Sequence, residues 1–227
     1  MVALTGDAKT VLTQLLSVIK QHQKPNHLFT QNTIVHDKKK AIEEKKSTLA
    51  WQYINAIQNA ISEQTIIFSD PTWVNGWAVY FLERQFPNTF HCTRNFCGLG
   101  FSFPAALGAR LAYPNSPIMA IIGDGGFLFS QAELATAVHY QLNIVTIIFN
   151  DQGFGAIKRR QINAFKRTVG VDLPSPDFVR LAEAYGAMAL RLTSPDQLYE
   201  HLIKAWNYNR PVIIEIPLDN NDSGLNI

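Results

Sequence analysis

The chain has 227 residues, 47% of them hydrophobic and 17% charged, with a formal net charge of +2. That length supports one sizeable core with a small appendage, and the composition is that of a soluble globular domain. A charge so near zero gives no reason to expect nucleic-acid or membrane-surface binding, no apolar run reaches the ~18 residues of a spanning helix, and "MVALTGDAKT" lacks the basic-then-apolar pattern of a signal peptide.

Residues 7–22 carry Val11, Leu12, Leu15, Leu16 and Ile19 at helical spacing, with Asp7 placed to cap the first turn and Pro25 and Asn26 placed to end it. Residues 23–47, with "DKKKAIEEKK", read as a solvated linker or surface helix. A second helix is expected over 48–62, with Trp51, Ile54, Ile57 and Ile61 on one face. An alternation then begins. "TIIF" (65–68), "TFHC" (89–92), "IMAIIG" (118–123), "IVTIIF" (144–149), "MALRL" (188–192) and "VIIEI" (212–216) read as strands. Helices are expected over 76–85, over 104–112 with Pro104 in the first turn, over 130–140, over 177–185 closed by Gly186, and over 195–206 opened by Pro195. Strands apolar throughout, each followed by an amphipathic helix, predict an α/β fold: a doubly wound, mainly parallel sheet with helices on both faces. Ligands of such sheets bind beyond the carboxyl ends of the strands.

Two strand ends carry chemistry. Asp124 follows Gly123 directly after a buried strand, where a carboxylate is costly unless paired or bound to a cation. Gly125 and Gly126 let the backbone approach a ligand, and the helix that follows directs its N–H groups and positive end there, which suits phosphate. A carboxylate beside a phosphate requires a hard cation between them, and Mg²⁺ takes one or two carboxylates plus phosphate oxygens. The next strand ends in Asn150 and Asp151, which with carbonyls of the "QGFG" turn could supply the other protein oxygens. The residues therefore predict a Mg²⁺–diphosphate site between adjacent βα turns. Gly-x-Gly-x-x-Gly and the P-loop Gly-Lys-Ser/Thr are both absent.

The stretch "GDGGFLFSQAELATAVHYQLNIVTIIFND", together with "CGLGFSFPAALGARLAYP" at 97–114, resembles the thiamine-diphosphate-dependent enzymes of the benzoylformate decarboxylase and acetolactate synthase group. The likeness covers roughly 48–217 and implies the thiamine-diphosphate-binding fold of their C-terminal domain. It implies that residues 1–47 are the tail of a preceding central domain plus a linker, and that 48–227 form the cofactor domain. It places Mg²⁺ on Asp124, Asp151 and the Gly153 carbonyl, with Asp151 standing where the family usually has Asn. It places phosphate oxygens on the N–H groups of Gly125, Gly126 and Phe154, after Gly123, with Thr72 at the terminal phosphate. Leu99 matches the bulky residue on which the cofactor folds into a V, the Cys97 carbonyl matches the acceptor of the aminopyrimidine N–H, and Ile157 matches a substrate-pocket position.

The resemblance further implies a 2-oxo acid substrate, decarboxylation or carboligation, and a homo-oligomer (dimer or tetramer). The activating glutamate belongs in the family to a pyrimidine-binding domain, in cis or in trans, that no segment of this chain resembles. The isolated chain is thus expected not to turn over substrate, and no catalytic residue is expected within it. Alternatives at this point are a non-catalytic Mg²⁺–diphosphate regulatory or structural domain and a nucleotide-binding Mg²⁺ enzyme. Cys92 and Cys97, too few for a disulfide framework and without partners at zinc-ligand spacing, read as reduced thiols of a cytoplasmic protein. Glu133 and Glu183 read as helix-face residues, His91 and His139 as structural histidines, and "KRR" (158–160) as a solvated helix face.

Overall fold

The computed structural model describes residues 5–22 and 40–218. The chain divides into two compact units, Met1–Lys45 and Lys46–Ile227. In the first, α1 (Ala8–His22) starts as the sequence indicates: Asp7 Oδ1 accepts the Thr10 N–H at 2.9 Å. The expected helix end at Pro25 and Asn26, and most of the linker, lie outside the described residues.

The second unit is a six-stranded, all-parallel sheet in the order β2-β1-β3-β4-β6-β5, built from β1 (Ile66–Ser69), β2 (Phe90–Cys92), β3 (Ile118–Gly123), β4 (Val145–Asn150), β5 (Met188–Arg191) and β6 (Val212–Pro217). The helices are α2 (Leu49–Ala60), α3 (Trp73–Phe81), α4 (Ser102–Ala112), α5 (Asp124–Ser130), α6 (Leu134–His139), α7 (Gly155–Phe165), α8 (Phe178–Tyr185) and α9 (Pro195–Ala205). The side chains of β3 alternate between two cores. Met119 and Ile121 join Ile54, Ile57, Trp77, Leu198 and Leu202 on one face, while Ile118, Ala120 and Ile122 join Phe103, Phe127, Leu134 and Phe178 on the other. Both faces are therefore covered, which is why the central strands read as unbroken apolar runs.

Start and stop signals act at most helix ends. Thr48, Thr72, Asp177 and Ser194 each accept an N–H of their helix's first turn, and Gly186 closes α8 with a φ of 94°. Several boundaries differ from expectation. The helix read over 76–85 lies at Trp73–Phe81, because Thr72 caps it. Pro104 is the third residue of α4, still in the first turn, where no intrahelical N–H is lost. The single helix expected over 130–140 is instead α5, a 3₁₀ turn at Gln131–Glu133 and α6, and α5 opens on Asp124 itself.

The topology fixes where a ligand can sit. β2 lies on one side of β1 and β3 on the other, so the strand order reverses between β1 and β3 and opens a crevice at their carboxyl ends. Asp70, Asp124 and Asp151 all stand at that edge, after β1, β3 and β4.

Candidate functional site

On the β3–β4 side, the helix begins at the carboxylate, so Gly125 and Gly126 lie in a first turn whose N–H groups lack intrahelical partners. Asp124 is 1% exposed, and its Oδ2 accepts the Gly153 N–H at 2.8 Å and the Ser175 hydroxyl at 3.0 Å. Asp151 is 4% exposed, and its carboxyl is pushed up to about 7, first by burial and then by the negative charge of Asp124 beside it, with Arg159 opposing. Two buried carboxylates thus face each other across adjacent strand ends. Gly155, the first residue of α7, leaves the space that the Asp151 carboxylate fills, since a Cβ there would overlap it. Among the described residues no group of three or more His, Cys, Asp and Glu side chains could hold a metal. A cation here would have to complete its shell with backbone carbonyls and ligand oxygens.

Asn150 is engaged within the protein: its Nδ2 donates to Glu215 Oε1 at 2.7 Å and its Oδ1 accepts the Gln152 N–H at 3.1 Å, so the oxygen the sequence offered to a cation already holds the turn. Phe154 lines the cleft, but its N–H donates to the Val171 carbonyl at 2.8 Å. It offers the cleft its ring, which lies against Gly125, in place of the amide expected for a phosphate.

On the β1–β2 side, Thr72 caps α3, accepting the Asn75 N–H at 3.3 Å. The loop after β2 carries Cys97, at a φ of 54°, and Leu99, which is 39% exposed between Gly98 and Gly100. One side chain fastens this loop to the sheet: Asp70 Oδ2 accepts the Gly100 N–H and Asp70 Oδ1 the Ser102 N–H, each at 2.6 Å. Asp70 is fully buried, and burial raises its carboxyl above the ordinary range against the pull of those two N–H groups. Gly126 permits the approach, since a Cβ on it would lie 2.5 Å from Asp70 Oδ2.

These walls enclose a cleft of about 1010 Å³. Thr72, Cys97, Leu99, Gly123, Asp124, Gly125, Gly126, Asp151, Gly153, Phe154 and Ile157 all line it. Sequence reasoning missed Asp70 and Glu215. Each carried a signal, a carboxylate at a strand end in "IIFSDP" and a lone carboxylate inside the apolar "VIIEI". The basic run proves divided: Lys158 pairs with Asp172 at 2.6 Å, whereas Arg159 and Arg160 line the cleft. Glu133 and Glu183 are exposed, and His91 stacks on Phe68 with ring centroids 4.9 Å apart.

A parallel doubly wound sheet with a glycine-lined cleft at its switch point, and two carboxylates facing each other at its floor, defines a phosphate-ligand domain of the α/β class. Comparison with known proteins specifies which. The family described as "Thiamine pyrophosphate enzyme, C-terminal TPP binding domain" matches residues 70–216, and the chain belongs to it. It is 34% identical over 172 residues to an acetolactate synthase of Bacillus subtilis (strain 168), covering 76% of this chain and 30% of that protein. It is 32% identical over 230 residues to a probable acetolactate synthase large subunit of Methanocaldococcus jannaschii, covering 96% of this chain and 39% of that one. Among solved structures it resembles the Rhodococcus jostii RHA1 thiamine diphosphate-dependent 4-hydroxybenzoylformate decarboxylase, with a TM-score of 0.71 and 26% identity over 77% of this chain and 33% of that one. The chain thus spans roughly a third of the length of these relatives. None of its described helices is long and apolar enough to cross a membrane.

Proposed function

We propose that this chain binds thiamine diphosphate through Mg²⁺ and forms the cofactor half of a 2-oxo acid decarboxylase or carboligase of the acetolactate synthase or benzoylformate decarboxylase type. The observation that carries this reading is the Asp124–Asp151 pair. Two carboxylates held together out of water repel so strongly that one is driven toward its neutral form, and a divalent cation relieves that repulsion. With only two carboxylates in place, the donor set suits Mg²⁺ shared with a diphosphate.

Asp124, Asp151 and the Gly153 carbonyl would hold the cation, and the amides of Gly125 and Gly126 would hold phosphate oxygens, with Thr72 at the cleft wall beside Gly123. Leu99 would keep the two rings of the cofactor bent toward each other, and the Cys97 carbonyl would accept a hydrogen bond from the aminopyrimidine. Thiamine diphosphate held there would supply a thiazolium able to take up the electron pair that a 2-oxo acid retains when it loses CO₂. The chain's own part is to bind, to orient the rings and to exclude water from the floor of the cleft. Ile157, 46% exposed at the rim, would meet the substrate side chain. We assign the remaining wall and the activating acid to a pyrimidine-binding domain, in cis or in trans, within a homo-oligomer in the cytoplasm, and residues 1–47 to the tail of a central domain plus its linker. Phe96, next to Cys97 on the loop after β2, is 95% exposed and supports such a partner.

Calorimetric titration of thiamine diphosphate into the chain, with Mg²⁺ and again with EDTA, tests the assignment. Binding that requires the metal and is lost in Asp124→Ala is the expected result. Binding of equal strength in EDTA would overturn the role given to the carboxylate pair, and brisk 2-oxo acid decarboxylation by this chain alone would overturn the need for a partner.

A further inference from the structure

Glu215 is 3% exposed in the middle of β6, between β4 and β5. Its Oε2 accepts from Arg191 Nε at 3.0 Å and from a terminal Arg191 nitrogen at 2.8 Å, and the same nitrogen donates to Asp177 at 2.8 Å. Its Oε1 accepts from Asn150 Nδ2 at 2.7 Å. That bond decides which way the Asn150 amide points: a carboxylate can only accept, so the nitrogen faces Glu215 and the oxygen is left to take the Gln152 N–H. The result is an Asx-turn at the end of β4. It holds Gln152 at a φ of 57°, a left-handed conformation that a residue with a Cβ adopts only when something fixes it.

We propose that Glu215 is a positioning residue for the turn that presents Asp151 and Gly153, acting through Asn150. The assignment rests on the cofactor reading given above for that turn. Two facts set it apart from a purely structural ion pair. A buried pair is poor ground for stability, because well-packed apolar side chains in its place are often neutral or stabilising. And the carboxylate is spent asymmetrically, one oxygen on its counter-ion and the other on an amide whose far side holds the backbone two residues away from β4. Arg191 neutralises Glu215 so that the charge is tolerated, and Glu215 in turn orients Asn150. The Gly153 N–H, next along, bonds to Asp124, so the same turn sets the distance between the two facing carboxylates.

Residue-resolved amide exchange on the cofactor-free chain reads the brace directly, and calorimetry with Mg²⁺ and thiamine diphosphate reads its consequence. In Glu215→Met, of similar length, no acceptor faces the Asn150 amide, so the Gln152 N–H is expected to exchange at least about fivefold faster, the factor that loss of one ordinary hydrogen bond gives. Exchange at Ile147 and Ile148 should not change. Thiamine diphosphate affinity in Mg²⁺ should fall by a similar factor, with affinity in EDTA unaltered. Asn150→Ala should reproduce the exchange effect, and the double variant should add nothing further at Gln152. Unchanged exchange at Gln152 overturns the proposal, as does a rise spread evenly over β4 and β6, which would mark a structural role only. If the unaltered chain binds no thiamine diphosphate with Mg²⁺, the cofactor reading falls, and exchange at Gln152 still decides whether Glu215 holds the turn.

Discussion

Removing the Asp70 side chain should cost the fold heavily. Asp70 accepts two N–H groups, from Gly100 and Ser102, each at 2.6 Å and each out of water. Asp70→Ala leaves both donors without a partner, at about 1–3 kcal/mol apiece, or about 2–6 kcal/mol together. Against a total stability of about 5–15 kcal/mol that is a large fraction. Asp70→Asn keeps one acceptor and turns an NH₂ toward the other N–H, so its cost should lie near half of that. Urea unfolding followed by circular dichroism is expected to rank the proteins wild type, Asp70→Asn, Asp70→Ala in falling stability. A double-mutant cycle sharpens the case. Gly126→Ala would press its Cβ to 2.5 Å from Asp70 Oδ2, so it should destabilise the wild type and cost distinctly less once Asp70 is alanine. The reasoning is refuted if Asp70→Asn is more stable than the wild type. Burial of the carboxylate would then outweigh the two bonds it makes, and the loop bearing Leu99 would be held by something else.

Other changes read other parts of the structure. Gly155→Ala places a Cβ where the Asp151 carboxylate lies, so metal-dependent thiamine diphosphate affinity should drop about tenfold or more. Its unfolding midpoint should fall as well, since a buried carboxylate has to move to admit the methyl; an unaltered affinity would count against the placement of Asp151. For the cation-free chain, Asp151 titrates at about 7 when folded and near 4 when unfolded. A folded pKa raised in this way adds stability that is complete below about pH 4 and is lost as pH rises through about 7. The urea midpoint of the wild type should therefore fall from pH 5 to pH 8 more steeply than that of Asp151→Asn, and parallel curves would refute the shift. Leu198→Ala, at a fully buried position of α9 facing α2, should cost about 2–5 kcal/mol, and a loss below about 1 kcal/mol would mean that this side of the sheet is loosely packed.

What the sequence disclosed, and what it hid, follows from the range of the forces involved. β3 was legible to the residue because burial on both faces leaves no polar position in "IMAIIG" until the glycine. The cap at Asp7 acts within three residues and is written locally, whereas those at Thr48, Asp177 and Ser194 were not singled out. β1 was read one residue early because Thr65 is apolar enough to continue "IIF", yet its hydroxyl bonds back to the Ser62 N–H and ends the turn before the strand. The break of 130–140 into three pieces was hidden, since "DGGFLFS" has the glycines of a loop and forms a helix where Phe127 and Leu128 anchor it in one core. The partners of the carboxylates were hidden for a different reason. Ser175 reaches Asp124 across 51 residues, Glu215 reaches Asn150 across 65 and Asp70 reaches Ser102 across 32, and no spacing rule spans such distances without the sheet order.

That same sheet order separates the buried carboxylates by what they are for. Asp70, Asp124, Asp151 and Glu215 are all buried, and each would be expensive left to itself. Glu215 is neutralised by Arg191 and satisfied at both oxygens, and Asp70 has an N–H on each oxygen. The protein has already met the needs of these two, and what they give back is the direction of a turn and of a loop. Asp124 and Asp151 are different: both donors to Asp124 use one oxygen, and its other near neighbour is a second carboxylate. Arg159 opposes that repulsion without cancelling it, as the Asp151 carboxyl at about 7 shows. Charge left unbalanced inside a fold is a cost unless something bound there offsets it. On the function proposed above, a divalent cation between those oxygens would offset it, and the two satisfied carboxylates hold the backbone on either side of the cleft where that cation's other ligand would lie.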